Sequence, residues 1–217
     1  MTTGIIFDLD GTLLDTLEDL YLSVNHVLRA YGCPERSRKE IRAFVGNGAR
    51  NLIARSLPEG CDLSLDQVLS DYQQYYDRLS IHGHTCPYPG IPAQLEALAA
   101  KYPVAIVSNK PDISVGPLCQ KFFPGIYALG SSDDRPRKPR PDMVRYAMQR
   151  IGADRCIYVG DSEVDVLTAA NGGFPCLTVL WGFRDQPELE RAGAVHMCDS
   201  VEKMLPMLEQ MIAGQTV

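Results

Sequence analysis

In the stretch IIFDLDGTLLDT, Ile5 to Thr16, an apolar run stops at two carboxylates, Asp8 and Asp10, followed at once by Gly11 and Thr12. Side chains two apart in extended chain project to the same side, so Asp8 and Asp10 form a pair with Leu9 turned away. Two like charges that close are costly unless a cation or a shared proton relieves them. Mg²⁺, which favours oxygen ligands, is the natural third party. A calcium loop does not fit, because its fifth and sixth positions want Asp or Asn and then Gly, where this chain has Thr12 and Leu13. Solvated aspartates on a turn are the plain alternative; the buried character of the run before them argues against it.

Three further stretches carry matching chemistry. In VSNKP, the Ser108 hydroxyl and successive backbone N–H groups can receive an anionic oxygen, although Ser-Asn-Lys-Pro reads equally as a turn. In SSDDRPRKPRPD, Lys138 is held between Pro136, Pro139 and Pro141, a stiff setting for a fixed cation, while Arg135, Arg137 and Arg140 read as solvated surface. In VGDSEVD, Asp161 adds a third carboxylate, and Asp165 either joins it or caps a helix through the S-x-x-D pattern with Ser162. Together these groups suit phosphoryl transfer: an aspartate can attack phosphorus as nucleophile, and the transfer needs a proton donor and acceptor and a metal ion, cation and hydrogen-bond donors for the oxygens.

These residues need a scaffold that brings them to one edge. Short apolar runs at Gly4–Phe7, Val104–Val107, Ile126–Leu129, Cys156–Val159 and Cys176–Leu180 predict buried strands. Helical spacing over Ile91–Lys101, Ile113–Phe122, Pro141–Ile151 and Glu163–Asn171 supplies crossovers between them. The alternation predicts an α/β fold: a Rossmann-like, doubly wound parallel sheet, whose ligands bind beyond the carboxyl ends of the strands. Between the first two strands lie four helical segments and no strand: Leu17–Tyr31, Arg38–Phe44, Ala49–Leu57 and Leu65–Ile81. A single crossover does not need so much chain. Residues 16–83 are therefore expected to form an inserted helical domain, and 1–15 with 84–217 the core.

Bulk composition narrows the partners. The chain has 217 residues, 45% of them hydrophobic, enough for one substantial core and a small accessory domain. A formal net charge of −6 argues against a nucleic-acid surface. The seven cysteines are scattered with no C-x-x-C pair and read as reduced, and no signal peptide or membrane span is evident, so a cytoplasmic setting is expected. His82 and His84 flank Gly83 in a linker and read as hinge or surface residues. Tyr72, Tyr75 and Tyr76 read as helix packing, and Trp181 and Phe183 as packing near the sheet edge.

DLDGTLLDT, Ser108, Lys138 in KPRPD, and GDSEVD stand in the order of the four motifs of the haloacid dehalogenase-like hydrolase superfamily, which the chain closely resembles. The resemblance implies Asp8 as nucleophile, Asp10 as general acid and base, and Ser108 and Lys138 holding the phosphoryl group. It implies Mg²⁺ held by the Asp8 carboxylate, the Asp10 backbone carbonyl and Asp161, with Asp165 a direct or supporting ligand. Dehalogenases of the superfamily lack the aspartate two residues after the nucleophile, so Asp10 implies phosphate chemistry. The insert resembles the type-1 helical cap, and FVGNGARNLI resembles the specificity loop of phosphoglycolate phosphatases. That likeness implies substrate contacts from Gly46, Asn47, Gly48 and Arg50, and from Asn109 and Lys110 of SNKP. The expected reaction is Mg²⁺-dependent hydrolysis of a small phosphorylated metabolite, 2-phosphoglycolate first, by a monomer or homodimer. Pyrophosphate, nucleotide or sugar-phosphate hydrolysis, a β-phosphoglucomutase-like transfer, and a non-catalytic binding protein are the alternatives.

Overall fold

The computed structural model describes residues 1–214. Its first half runs β1 (Thr3–Phe7), β2 (Leu14–Asp15), α1 (Leu17–Ala30), α2 (Arg38–Phe44), α3 (Ala49–Ser56), α4 (Leu65–His82), β3 (Cys86–Pro87) and α5 (Ile91–Ala99). Next come β4 (Val104–Pro111), α6 (Asp112–Phe122), β5 (Tyr127–Ser131), α7 (Asp142–Arg150) and β6 (Arg155–Gly160). The chain closes with α8 (Glu163–Gly172), β7 (Cys176–Val179), α9 (Gln186–Arg191), β8 (His196–Cys198) and α10 (Val201–Gly214).

Six strands form one parallel sheet in the order β5-β4-β1-β6-β7-β8. Every residue of β1 is buried, the continuous apolar pattern of a strand covered on both faces. Ile5 and Phe7 point into a cluster with Leu95 of α5, Leu118 of α6 and Met204 of α10. Ile6 points the other way, against Met143 and Ala147 of α7 and Ala169 of α8. Helices thus cover both faces, and β1 is an inner strand, paired with β4 on one edge and β6 on the other.

The helices α1 to α4 pack on a cluster of their own, with Leu20, Val24, Leu28, Ile41, Ile53, Val68, Tyr72 and Tyr76 buried together. Ser37 and Glu40 close a capping box that starts α2. Where the chain leaves and re-enters the sheet domain, β2 and β3 pair antiparallel, Leu14 opposite Pro87 and Asp15 opposite Cys86. Asp19, wholly buried, accepts hydrogen bonds from His84 N at 2.9 Å, Thr85 N at 2.7 Å and Thr85 Oγ1 at 2.6 Å. One carboxylate thereby pins the returning strand to the departing helix. Asp19→Ala leaves those donors buried and unmatched, and is expected to lower stability by about 3 kcal/mol. An unchanged urea midpoint would show that the neck holds without it.

Several elements exceed the sequence reading, among them the short pair β2 and β3 and the helix α9. The strand expected to stop at Val107 continues to Pro111 with a register irregularity, so Ser108, Asn109 and Lys110 belong to the strand itself. A sixth strand, β8, extends the sheet beyond β7, and α10 covers one face of it.

Candidate active site

Asp8 follows β1 directly, and its N–H still donates to Val159 O of β6 at 2.8 Å, so the sheet ladder fixes where the nucleophile candidate starts. Leu9 is fully buried in the core, and Leu13 N and Leu14 N both donate to its carbonyl at 3.0 Å, which folds the chain back sharply. Gly11 makes the turn at φ +82, and a Cβ there would lie 2.3 Å from Asp161 Oδ2. Only glycine admits both the positive φ and that approach. Trp181 Nε1 donates to Thr12 O at 3.0 Å, bracing the same loop from the far side.

Lys138 is the electrostatic hub. Its ammonium stands 2.8 Å from Asp8 Oδ1 and 2.8 Å from Asp165 Oδ1, and donates to the Tyr158 hydroxyl at 2.9 Å, with 2% of its side chain exposed. Burial acts to lower this lysine, but Asp165 and Asp8 outweigh it and hold the ammonium above the ordinary lysine range. Asn109 aims it: the Asn109 side chain accepts from Lys138 N at 2.9 Å and donates to Lys138 O at 2.9 Å. Asp165 does two things at once. Its Oδ1 receives Lys138, and its Oδ2 accepts Ser162 Oγ at 2.6 Å and Ser162 N at 3.1 Å, closing the capping box of α8.

Asp161, 1% exposed, accepts from Thr12 Oγ1 at 3.0 Å and from Phe183 N at 2.7 Å, neither of them a cation. Oxygens of Asp8, Asp161 and Asp165 lie within 4.8 Å of one another. Burial, then the charge of Asp165, push the Asp8 carboxyl up to about 7 despite Lys138. Burial, then Asp165 and Asp8, push Asp161 up as well. Asp8 Oδ1 is buried with an ion pair but no aligned hydrogen bond. A crowded all-oxygen set with more negative than positive charge fits a hard divalent cation such as Mg²⁺. Asp10 stands apart from this trio: both its oxygens are 2.9 Å from Lys110 Nζ, which itself lies 4.6 Å from the Tyr76 ring centroid.

Between sheet and insert lies a cavity of about 50 Å³ lined by Asp8, Asp10, Ser108, Lys110, Gly46 and Gly48 among others. The sequence reading of the insert holds here only in part. Gly46 and Gly48 line the cavity, whereas the Asn47 carbonyl accepts from Asn51 and Arg50 turns outward into an exposed pair with Asp66. Asn109 lines it too, but its amide is engaged by Lys138 and by Gly46 O at 3.1 Å. Arg137, read as solvated, instead sits half-buried with Nη1 3.3 Å from where a Gly48 Cβ would stand. Tyr72 and Tyr76 are buried in the helical cluster and also wall the cavity, while Tyr75 stacks on His26. Tyr158 and Arg184 were not foreseen. Tyr158 reads as an ordinary strand residue, and nothing in WGFRD signals that the arginine turns inward.

Residues 5–179 match the model of the family described as haloacid dehalogenase-like hydrolase. A phosphoglycolate phosphatase of Agrobacterium fabrum is 34% identical over 221 residues, covering 96% of this chain and 93% of that protein. One from Vibrio parahaemolyticus is 31% identical over 218 residues, covering 94% and 95%. A crystal structure from Lactobacillus delbrueckii subsp. bulgaricus is similar with a TM-score of 0.87 at 32% identity, covering 95% of this chain and 98% of that one.

Proposed function

The chain belongs to the haloacid dehalogenase-like hydrolases and is a phosphatase, and from that premise we propose that it hydrolyses 2-phosphoglycolate to glycolate and phosphate. The observation that carries the reading is the buried Lys138 bridging Asp8 and Asp165 at 2.8 Å each, with Asp161 as the third carboxylate of the group. Asp8 attacks phosphorus and forms an aspartyl-phosphate as the bond to the leaving oxygen breaks, and Asp10 gives that oxygen its proton. Asp10 then takes a proton from the water that attacks phosphorus and frees Asp8. Lys138 and Ser108 hold the phosphoryl oxygens, and Asp165 keeps Lys138 in place. Mg²⁺, when bound by the Asp8 carboxylate, the Asp10 backbone carbonyl and Asp161, supplies positive charge against those oxygens.

Residues 16–83 serve as a cap that excludes water and selects the substrate. A cavity where Lys110 and Ser108 stand beside Asp8 and Asp10, walled by Gly46 and Gly48 of the insert, suits a small anionic phosphate ester. Lys110 is the cation that meets the carboxylate, since Arg50 faces away. Seven free cysteines suit a reducing cytoplasm, and no described helix is long and apolar enough to cross a membrane.

Phosphate release should be screened over phosphoglycolate, pyrophosphate, nucleotides and hexose phosphates, with and without Mg²⁺. Phosphoglycolate is expected to have the highest kcat/KM. Lys110→Ala should raise its KM at least about tenfold, the cost of one charged hydrogen bond, and Arg50→Ala should leave it within about twofold. Preference for another phosphate, or isomerisation of a sugar phosphate without phosphate release, would replace this substrate.

A further inference from the structure

Two arginines cross the seam between insert and sheet domain in opposite directions. Arg42, in the last turn of α2, donates to Gly182 O at 3.2 Å and Asp185 Oδ1 at 2.9 Å. Arg184, in the loop after β7, donates back to Arg42 O at 2.9 Å and to Val45 O at 2.7 Å. Its side chain is only 6% exposed and is anchored to Glu163, Nε to Oε2 at 2.6 Å. The carbonyls at a helix C-terminus lack partners within the helix, so a buried guanidinium is a strong acceptor-matched clamp for them.

The clamp is built on the same loop that holds Asp161. Phe183, between the two arginine contacts, donates its N–H to Asp161 Oδ2 at 2.7 Å. A Cβ on Gly182 would stand 2.3 Å from Asp161 Cβ, so the loop lies directly on that side chain. Glu163 lies two residues beyond Asp161 at the start of α8. Of the other contacts across the seam, Gln73 to Ser114 at 2.7 Å and Lys121 to Ile81 O lie on the α6 side, and Asn109 donates to Gly46 O at 3.1 Å from the Lys138 side; none of them touches Asp161.

We infer that Arg184 is a positioning residue that couples docking of the cap to the orientation of Asp161, through the Gly182-Phe183-Arg184 loop. The cap's seated position and the metal-ready carboxylate then form one two-state element, and coupling runs both ways: Mg²⁺ should tighten the seam as the seam tightens Mg²⁺. This rests on reading Asp161 as a Mg²⁺ ligand.

Hydrogen exchange and Mg²⁺-dependent thermal shift on the full chain, for wild type, Arg184→Met and Arg42→Met, test it. Each variant is expected to lose protection at residues 42–46 and at the Phe183 amide together. The Mg²⁺ concentration giving half the thermal shift should rise about tenfold, as when an outer-shell partner of a metal site is lost. With phosphoglycolate, kcat should fall more than KM rises. In wild type, Mg²⁺ should raise protection at residues 42–46. Loss of protection at 42–46 with the Phe183 amide and the Mg²⁺ response at wild-type values would overturn the coupling. If Arg184→Met does not fold, Arg42→Met decides, its side chain being one-third exposed. A wild type with no Mg²⁺ response overturns the metal reading instead, while the exchange data still decide whether the seam and the Phe183 amide move together.

Discussion

Asp8→Asn is expected to abolish phosphate release, by at least about 10⁴-fold, while leaving a folded protein of equal or higher thermal stability in metal-free buffer. The loss follows from chemistry: an amide is a far poorer nucleophile toward phosphorus than a carboxylate, and residues that act as a unit fail together. The stability follows from the site's electrostatics. Asp8 is 7% exposed, and burial with the nearby Asp165 holds its carboxyl up to about 7, against the pull of Lys138. Folding therefore works to desolvate an anion among anions, and the isosteric amide removes that burden while Lys138 keeps Asp165 as its partner. Phosphate release from an aryl phosphate and a melting curve check both halves. Equal rates in variant and wild type would remove Asp8 as nucleophile, and a large drop in Tm would show that the carboxylate is a net support of the fold.

How much of this was legible beforehand depends on whether a residue's role is set by local chain or by distant partners. The strands ending at Phe7 and Gly160 announce themselves because both faces of the sheet are covered, which forces unbroken apolar runs, and the carboxylates that end those runs stand out by contrast. The four helices of the insert were readable from spacing for the same reason: each buries one stripe against the others. By comparison β8 is three residues, His196 to Cys198, and begins exposed, so it has no run to read. Asp165 looked like a choice between cap and site. Its two oxygens face different partners, and it is both.

The insert's contribution was the hardest to read. Gly46 and Gly48 need positive φ, which sequence can suggest. Which way Arg50 points is settled by Asp66 on the neighbouring helix. Arg184 is the opposite case. Its partners include backbone carbonyls 142 and 139 positions away, and carbonyls carry no side-chain signature, so only the folded chain reveals why an arginine belongs there.

Lys138→Met should both end activity and destabilise the fold, and the second effect separates charge from packing. Methionine approximates the lysine's length and apolar stem, so the volume change is small. What disappears is the one cation between Asp8 and Asp165, each 2.8 Å from Nζ. Breaking a buried pair by removing one partner costs about 3–5 kcal/mol, a large part of the roughly 5–15 kcal/mol that a domain has. A urea midpoint well below wild type is expected. If uncompensated charge is the cause, adding Asp8→Asn to Lys138→Met should recover about 1–3 kcal/mol, since it removes one of the two stranded carboxylates. If loss of packing is the cause, the second substitution recovers nothing beyond what it does alone. The double variant's stability therefore reports on the lysine's electrostatic role alone, whether one ammonium is what makes it possible to bury Asp8 and Asp165 side by side.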